Sequence, residues 1–227
     1  MAKGIDTIAV VTGDVVRSRV YSRTDRELVQ QELKNTWKQV RSFFSDEFKS
    51  RLSFRVTAGD EFQYVCNSFS IGLISLMMLR VRMRAIGFKP PVTIRAAIGV
   101  GTRTVTGQSD SYTQDGPAFR FAREGIEQLN KNKLHHLTMV RGLQKKRELL
   151  TNDVLALSDR IYVKWTAAQA LVLLHALMLK PPGEIARELK ISGAAVSTHL
   201  RRAAWYEYSG VMISLAKDSP FRSGDAD

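Results

Sequence analysis

The feature of this sequence that most constrains its fold is the place where strand-like segments stop. Short runs rich in β-branched and aromatic residues alternate with helical patterns as far as about residue 148, and only short helical patterns follow. In the first part the order is strand, helix, two strands, helix, strand and helix. The chain should therefore build a sheet from its first part and a purely helical body from its second.

The order of elements in the first part predicts a ferredoxin-like fold. In that pattern two β-α-β units are interleaved, and the helices lie mainly on one face of a single sheet. We therefore predict an α+β protein with a ferredoxin-like domain over 1–148 and an all-helical domain over 149–212. The remaining residues, 213–227, are small and polar, and we expect them to be disordered.

Composition narrows the partners and the cellular setting. The chain has 34 Lys and Arg against 22 Asp and Glu, a formal charge of +12, and nearly all of the excess lies in 1–150. A polyanion or an anionic small molecule is the expected partner. The single Cys66 excludes a disulfide within the chain, and no secretion signal is recognisable. Arginines interrupt the longest apolar stretch, FSIGLISLMMLRVRMRAIGF, before the roughly 18 residues that a membrane span needs. We expect a cytoplasmic protein without a membrane segment.

Two acidic residues, each beside a glycine, are the candidate metal ligands. Asp14 follows Gly13 at the end of the first strand, and Asp60 follows Gly59 at the tip of the predicted hairpin. The hairpin should pair beside the first strand, so the carboxylates can converge and hold Mg²⁺ on the phosphates of a nucleotide. The glycines would let the backbone approach a bulky ligand. Alternatively, both Gly-Asp pairs are ordinary turn residues.

Three stretches in this region resemble the motifs of a known enzyme class. VTGDVVRSR, TAGDEF and RAAIGVG occur in the order and context of three motifs of the class III nucleotide cyclases, and AGDEF is similar to the hairpin signature of diguanylate cyclases. The whole chain resembles the SatD family, which joins a cyclase-like domain to a C-terminal helix-turn-helix. The resemblance implies that Asp14 and Asp60 occupy the two metal positions. It also implies that Arg95, Gly99 and Gly101 mark the next core strand.

Two departures from the cyclase pattern argue against an active enzyme. Val56 stands where active class III cyclases carry a purine-reading lysine, and Phe119 stands where they carry a ribose-orienting asparagine. Phe119 falls on an apolar stripe of its helix, whereas Arg120 and Arg123 lie off that stripe and could face a phosphate or only solvent. We therefore expect nucleotide binding with little or no cyclase turnover, because turnover also needs exact positioning of the ribose hydroxyl.

The most specific pattern lies in the helical part. A helix in PGEIARELK, a turn at ISG and a second helix in AAVSTHLRRAAW form a helix-turn-helix, which resembles the modules of LuxR-type regulators and sigma factors. Ser192 can cap the second helix. The alternative is a helical hairpin used only for packing or dimerisation. The candidate DNA contacts are Ala194, Ser197, Thr198 and Arg201 for base edges, and Arg187, Lys190 and Arg202 for phosphates.

Together these patterns predict a DNA-binding transcriptional regulator. An isolated helix-turn-helix binds DNA weakly, so we expect a homodimer on double-stranded DNA with half-sites about one helical turn apart. The cyclase-like domain would bind a nucleotide with Mg²⁺, or only dimerise. The main alternative is a metal-dependent nucleotidyl cyclase with the helical module as an appendage, and a third is a structural dimer without a ligand.

Overall fold

The protein has a mixed α+β fold in which the described strands all precede the C-terminal helices. The computed structural model describes residues 7–44, 54–56, 60–102, 115–131 and 136–217. In the first part the elements are β1 (Thr7–Val15), a 3-10 helix (Ser18–Val20), α1 (Arg23–Phe43), β2 (Arg55–Val56), β3 (Phe62–Cys66), α2 (Phe69–Ala85), β4 (Ile94–Thr102), α3 (Pro117–Lys131) and β5 (Thr138–Arg141). They are followed by α4 (Lys145–Tyr162), α5 (Ala167–Leu177), α6 (Pro182–Leu189), α7 (Gly193–Arg202) and α8 (Trp205–Lys217).

The described strands form one sheet in the order β2-β3-β1-β4-β5. β1 is antiparallel to β3 and β4, β2 is antiparallel to β3, and β5 is parallel to β4. The predicted hairpin is present as β2-β3, with Val56 opposite Phe62. β1 continues past its predicted end to Val15, so Asp14 lies within the strand and directly opposite Arg95 on β4.

Helices cover both faces of the sheet, whereas the sequence predicted helices mainly on one face. Successive strand residues point to opposite faces. On β1, Val11 belongs to the hydrophobic cluster that includes α1 and α2, while Val10 packs with Phe119 of α3. A Cβ added at Gly99 would lie 2.1 Å from the carbonyl oxygen of Ala118, so the α3 backbone rests directly on β4. The apolar stripe of α3 thus buries itself on the face that α1 and α2 leave free.

Side chains of α4 cover the outer edge of β5. In a strand paired on one side only, alternate N–H groups point away from the neighbouring strand. Three of these groups donate to α4 side chains: Thr138 to Asp159 at 2.8 Å, Val140 to Asn152 at 2.7 Å, and Gly142, just after the strand, to Glu148 at 2.8 Å. Asn152 also donates its amide N–H to the Val140 carbonyl oxygen. The helix therefore takes the place that another strand would occupy.

α2 contains the long apolar stretch of the sequence and is buried on most sides. It contacts α1 and the sheet, and also α5 and α8 from the C-terminal part. Leu76 of α2 and Leu173 of α5 belong to one hydrophobic cluster, so the helical part shares its core with the sheet part. Among the described residues, no helix combines the length and the hydropathy that crossing a membrane requires.

A buried ion pair also joins the two parts. Arg80 Nη1 on α2 lies 3.0 Å from Asp159 Oδ1 on α4, and the two side chains are only 4% and 1% exposed. Arg80 donates as well to the carbonyl oxygens of Ile94 and Leu137, and its guanidinium lies over the Tyr162 ring. Burial, the largest single influence, acts to lower the pKa of Arg80, but Asp159 together with Tyr162 and Tyr208 outweighs burial and the pKa is raised. Arg80 is therefore charged within the core.

Three element boundaries differ from the prediction. The junction expected between 148 and 149 falls inside α4, which therefore belongs to both parts. The second helix of the predicted helix-turn-helix ends at Arg202, because Ala204 takes a left-handed φ of 49° before α8 begins. α8 runs through Lys217, so 213–217 are helical and not a disordered tail. The rest of the predicted tail, 218–227, lies outside the described residues.

Candidate functional site

Asp14 is held by an arginine across the sheet. The Arg95 Nε lies 3.0 Å from Asp14 Oδ1, and Arg95 Nη2 lies 2.6 Å from Asp14 Oδ2. The side chains of Arg95 and Asp14 are 23% and 13% exposed. Paired bonds of this kind are among the strongest that side chains form. Both carboxylate oxygens are engaged, so a metal ion at Asp14 would have to share or displace Arg95.

Asp60 lies at the same end of the sheet but lines a separate cavity. This cavity, of about 210 Å³, lies between the end of β1 and α1, and Arg19 and Arg26 also line it. Val15 contributes to it from the α1 side of the sheet, whereas Asp14, one residue earlier, points to the other face. Asp14 is not among the described residues that line this cavity. The two acids are therefore near one end of the sheet and on different sides of it.

The described residues contain no preformed metal cluster. No group of three or more His, Cys, Asp or Glu side chains within them is arranged to hold a metal ion. A Mg²⁺ site built on two carboxylates would not form such a group, because Mg²⁺ takes most of its ligands from water and substrate phosphates. The metal role of Asp14 and Asp60 stays a prediction.

Of the two glycines that precede the candidate acids, Gly13 is described by the structure. A Cβ added at Gly13 would lie 2.5 Å from the Phe62 ring and 2.7 Å from the Arg95 carbonyl oxygen. Packing within the sheet therefore explains Gly13 without a ligand. Gly59 lies outside the described residues.

The cyclase-like positions on β2 and α3 are occupied by packing residues. Val56 is half-buried against the main core, and Phe119 is 2% exposed in the cluster between β1 and α3. The structural role predicted for Phe119 is confirmed. Arg120 and Arg123 are exposed on the outer side of α3.

α6 and α7 form a compact pair joined by the turn 190–192. Ser192 caps α7 as predicted, since its Oγ accepts the Ala195 N–H at 3.1 Å. Val196 and Leu200 of α7 are buried, and Trp165 Nε1 donates at 2.8 Å to the carbonyl oxygen of Ala203. α7 also contacts α5, α6 and α8. The pair is thus held firmly, with one side of α7 turned outward.

Most of the residues predicted to contact DNA are exposed on α6, on α7 or in the turn between them. Thr198 is partly buried, and the other predicted contacts are exposed: Arg187, Lys190, Ala194, Ser197, Arg201 and Arg202. On α7 the exposed residues recur at helical spacing opposite the buried Val196 and Leu200. The structure therefore groups six of the seven predicted contacts as surface residues around one short helix pair.

Two further basic residues, which the sequence interpretation missed, lie next to this surface. Arg160 on the last turn of α4 and Lys164, two residues after the end of that helix, line a cavity of about 250 Å³ together with Arg202. Both are exposed, and no acidic partner of either is present among the described residues. They are four residues apart in the sequence, at the C-terminal end of α4 and just after it. That spacing was visible in the sequence, but their nearness to α7 depends on tertiary packing.

Comparisons with known proteins identify a family. No curated protein matches the chain, and no solved structure matches it. The family model described as the SatD family matches residues 7–204, which cover the sheet part and the helices as far as the end of α7. This chain therefore belongs to the SatD family.

Proposed function

We propose that this protein is a DNA-binding transcriptional regulator. In this proposal α7 enters the major groove of double-stranded DNA, and the N-terminal domain binds a nucleotide or supplies a dimer contact. The observation that carries the proposal is the capped α7, which is fixed by α5, α6 and α8 and presents Ser197 and Arg201 outward. A helix held this way behind a short turn is the arrangement of helix-turn-helix proteins.

The strand order supports a ferredoxin-like, cyclase-like palm for the N-terminal domain. β1, α1 and β2 form one β-α-β unit, and β3, α2 and β4 form the second. In the sheet order β2-β3-β1-β4 the strands of these two units alternate. α3 and β5 then extend this core on the opposite face and at the edge.

The basic residues around α7 divide into two roles in this proposal. Arg201 is the long side chain on the exposed face that can make a bidentate contact with guanine. Arg202, Arg160 and Lys164 border one shallow surface beside α7 and suit backbone phosphates. Phosphate contacts from Arg160 and Lys164, at and just after the end of α4, would give the helical part more positive charge at the duplex than the predicted helix-turn-helix residues alone.

The cyclase alternative gains no support from the described residues. Arg95 occupies both oxygens of Asp14, and Val56 and Phe119 are packed into cores. We expect no cyclic nucleotide from purified protein with ATP or GTP and Mg²⁺ or Mn²⁺. A product that disappears in Asp14→Ala would restore the enzyme interpretation.

The decisive experiment compares two adjacent arginines on DNA sites found by genomic footprinting. Arg201→Ala should weaken binding to the specific site by about 1–3 kcal/mol and relax base preference at one position. Arg202→Ala should weaken all sequences similarly and reduce the salt dependence, because it removes a phosphate contact. Titrations at several salt concentrations measure both effects.

A matched control keeps this test specific. Lys38→Ala removes an exposed charge from α1, on the sheet part, and should change neither base preference nor the local contacts of α7. If Arg201→Ala and Arg202→Ala both leave affinity and preference unchanged, the helical part is a packing module and the regulator proposal is wrong.

A further inference from the structure

A large groove lies at the edge of the sheet, away from Asp14 and Asp60. It has a volume of about 830 Å³ and is bordered by α3, β5 and the first turns of α4. Pockets that hold small organic ligands usually measure roughly 300–1,000 Å³. The cavity beside Asp60, at about 210 Å³, falls below that range. Of these two places, the groove has the size for a nucleotide.

The walls of the groove combine an apolar floor with a positive rim. Met139 and Leu149 supply apolar surface, and Leu149 is 63% exposed although it faces a concave site. Lys145 and Lys146 are exposed at the rim, and Arg141 borders the same space. An apolar surface suits a planar base, and the cations suit phosphate groups.

Some charged side chains of the groove already have partners inside the protein, and others do not. Glu148 accepts the N–H groups of Gly142 and Leu143 and lies 3.5 Å from Arg141, so its charge is largely offset inside the protein. Arg141 also donates to Gln128 at 3.0 Å and to Glu124 at 3.4 Å, so its charge is offset by two carboxylates. The described residues show no acidic partner for Lys145 or Lys146. The free charge at the groove is therefore positive.

We propose that this groove binds an organic phosphate with a planar apolar group, of which a nucleotide is the general example, without a metal ion. The proposal rests on the nucleotide-sensing half of the proposed function and moves that role away from the Asp14 and Asp60 end. Metal is not needed because the Lys145 and Lys146 side chains neutralise the phosphate directly. α4 would then link the site to the DNA-binding part, because the same helix carries Asp159 and Arg160 and is followed directly by Lys164.

The test measures nucleotide binding by calorimetry with the full-length protein. ATP, GTP and AMP are titrated in EDTA and again in Mg²⁺, with inorganic phosphate and pyrophosphate as separate probes. At least one nucleotide should bind in EDTA. Replacing both exposed lysines, Lys145→Ala with Lys146→Ala, should weaken that binding by at least about tenfold, as expected for losing charge-assisted contacts. Leu149→Asp should weaken it independently, because it puts a negative charge on the apolar wall.

Matched variants separate the possible results. Lys34→Ala with Lys38→Ala removes two exposed lysines from α1 and should leave the affinity unchanged, as should Asp14→Ala with Asp60→Ala. Binding that needs Mg²⁺ and is lost in the double aspartate variant would overturn the groove assignment and keep nucleotide sensing. No nucleotide binding at all, or equal affinity for inorganic phosphate, would overturn both. Neither result affects DNA binding through α7, which is measured separately.

Discussion

Two Asp–Arg pairs in this protein have the same chemistry and different surroundings. Arg80 and Asp159 meet in the core between α2 and α4, and their side chains are 4% and 1% exposed. Backbone groups form hydrogen bonds with the remaining polar atoms of both side chains, except Arg80 Nε. Arg95 and Asp14 meet at the end of the sheet, where the side chains remain partly exposed and the bonds between them are the ones that hold the pair.

The different surroundings give the two pairs different roles. The Arg80–Asp159 pair is structural, and the Arg95–Asp14 pair is the candidate functional one. Asp159 accepts bonds from Leu137 and Thr138 as well as Arg80, so the fold depends on its charge and shape together. Asp14 could change partner without disturbing backbone bonds of the core. The buried pair should therefore be sensitive to any change, whereas the pair at the sheet end should tolerate substitution.

The largest expected effect follows loss of the buried carboxylate. Asp159→Ala should lower the free energy of unfolding by about 3–5 kcal/mol, because it leaves the Arg80 charge uncompensated in the core. Urea denaturation followed by circular dichroism measures this loss. Asp159→Asn keeps the side-chain shape and should fall between the wild type and Asp159→Ala. A loss below about 1 kcal/mol for Asp159→Ala would show that the core pair is not needed.

A smaller effect is expected at the end of the sheet. Asp14→Ala should lower the free energy of unfolding by about 1–2 kcal/mol, since it removes a partly exposed bidentate pair and leaves Arg95 access to water. The same denaturation experiment checks it. A loss equal to that of Asp159→Ala would remove the distinction between the pairs. A gain in stability would contradict the expected loss and show that Asp14 costs stability, as functional carboxylates often do.

The smallest effect tests one hydroxyl beside the buried pair. The Tyr162 hydroxyl accepts the Ile94 N–H at 3.0 Å, and Tyr162→Phe should cost about 1 kcal/mol by leaving that buried N–H without a partner. Tyr21→Phe is the matched control at the same end of the sheet, where the hydroxyl donates to the carbonyl oxygen of the exposed Pro90. The control should cost less, since a carbonyl oxygen that loses one donor near the surface can bond water. Equal losses in the two variants would contradict this reasoning.

Local patterns in the sequence predicted much of the architecture. The hairpin, the apolar stripe with Phe119, the Ser192 cap and the buried Val196 and Leu200 all depend on residues close together in the chain. These features follow from periodicity and capping, which a single sequence contains. The interpretation of the long apolar stretch as a buried helix is confirmed in α2.

The contacts that define the candidate sites could not be predicted from local patterns in the sequence. Arg95 meets Asp14 only because β4 pairs with β1 in one register, and Arg80 meets Asp159 across two helices far apart in the chain. The second face of the sheet was missed because the pattern of α3 shows an apolar stripe without showing which surface it covers. The role of α4 in both parts was missed because the boundary was placed where strand-like patterns stop. That position falls inside a helix that continues without a break through residue 149.

The covering of β5 by α4 limits how two copies of this protein can join. Many dimers and most fibrils grow when the outer strands of two sheets align and exchange main-chain hydrogen bonds. At this edge Asp159, Asn152 and Glu148 already hold the outward N–H groups, so a second chain would have to break three internal bonds before making any of its own. A homodimer on DNA would therefore have to form through helices or the β2 side, and self-association through β5 is disfavoured.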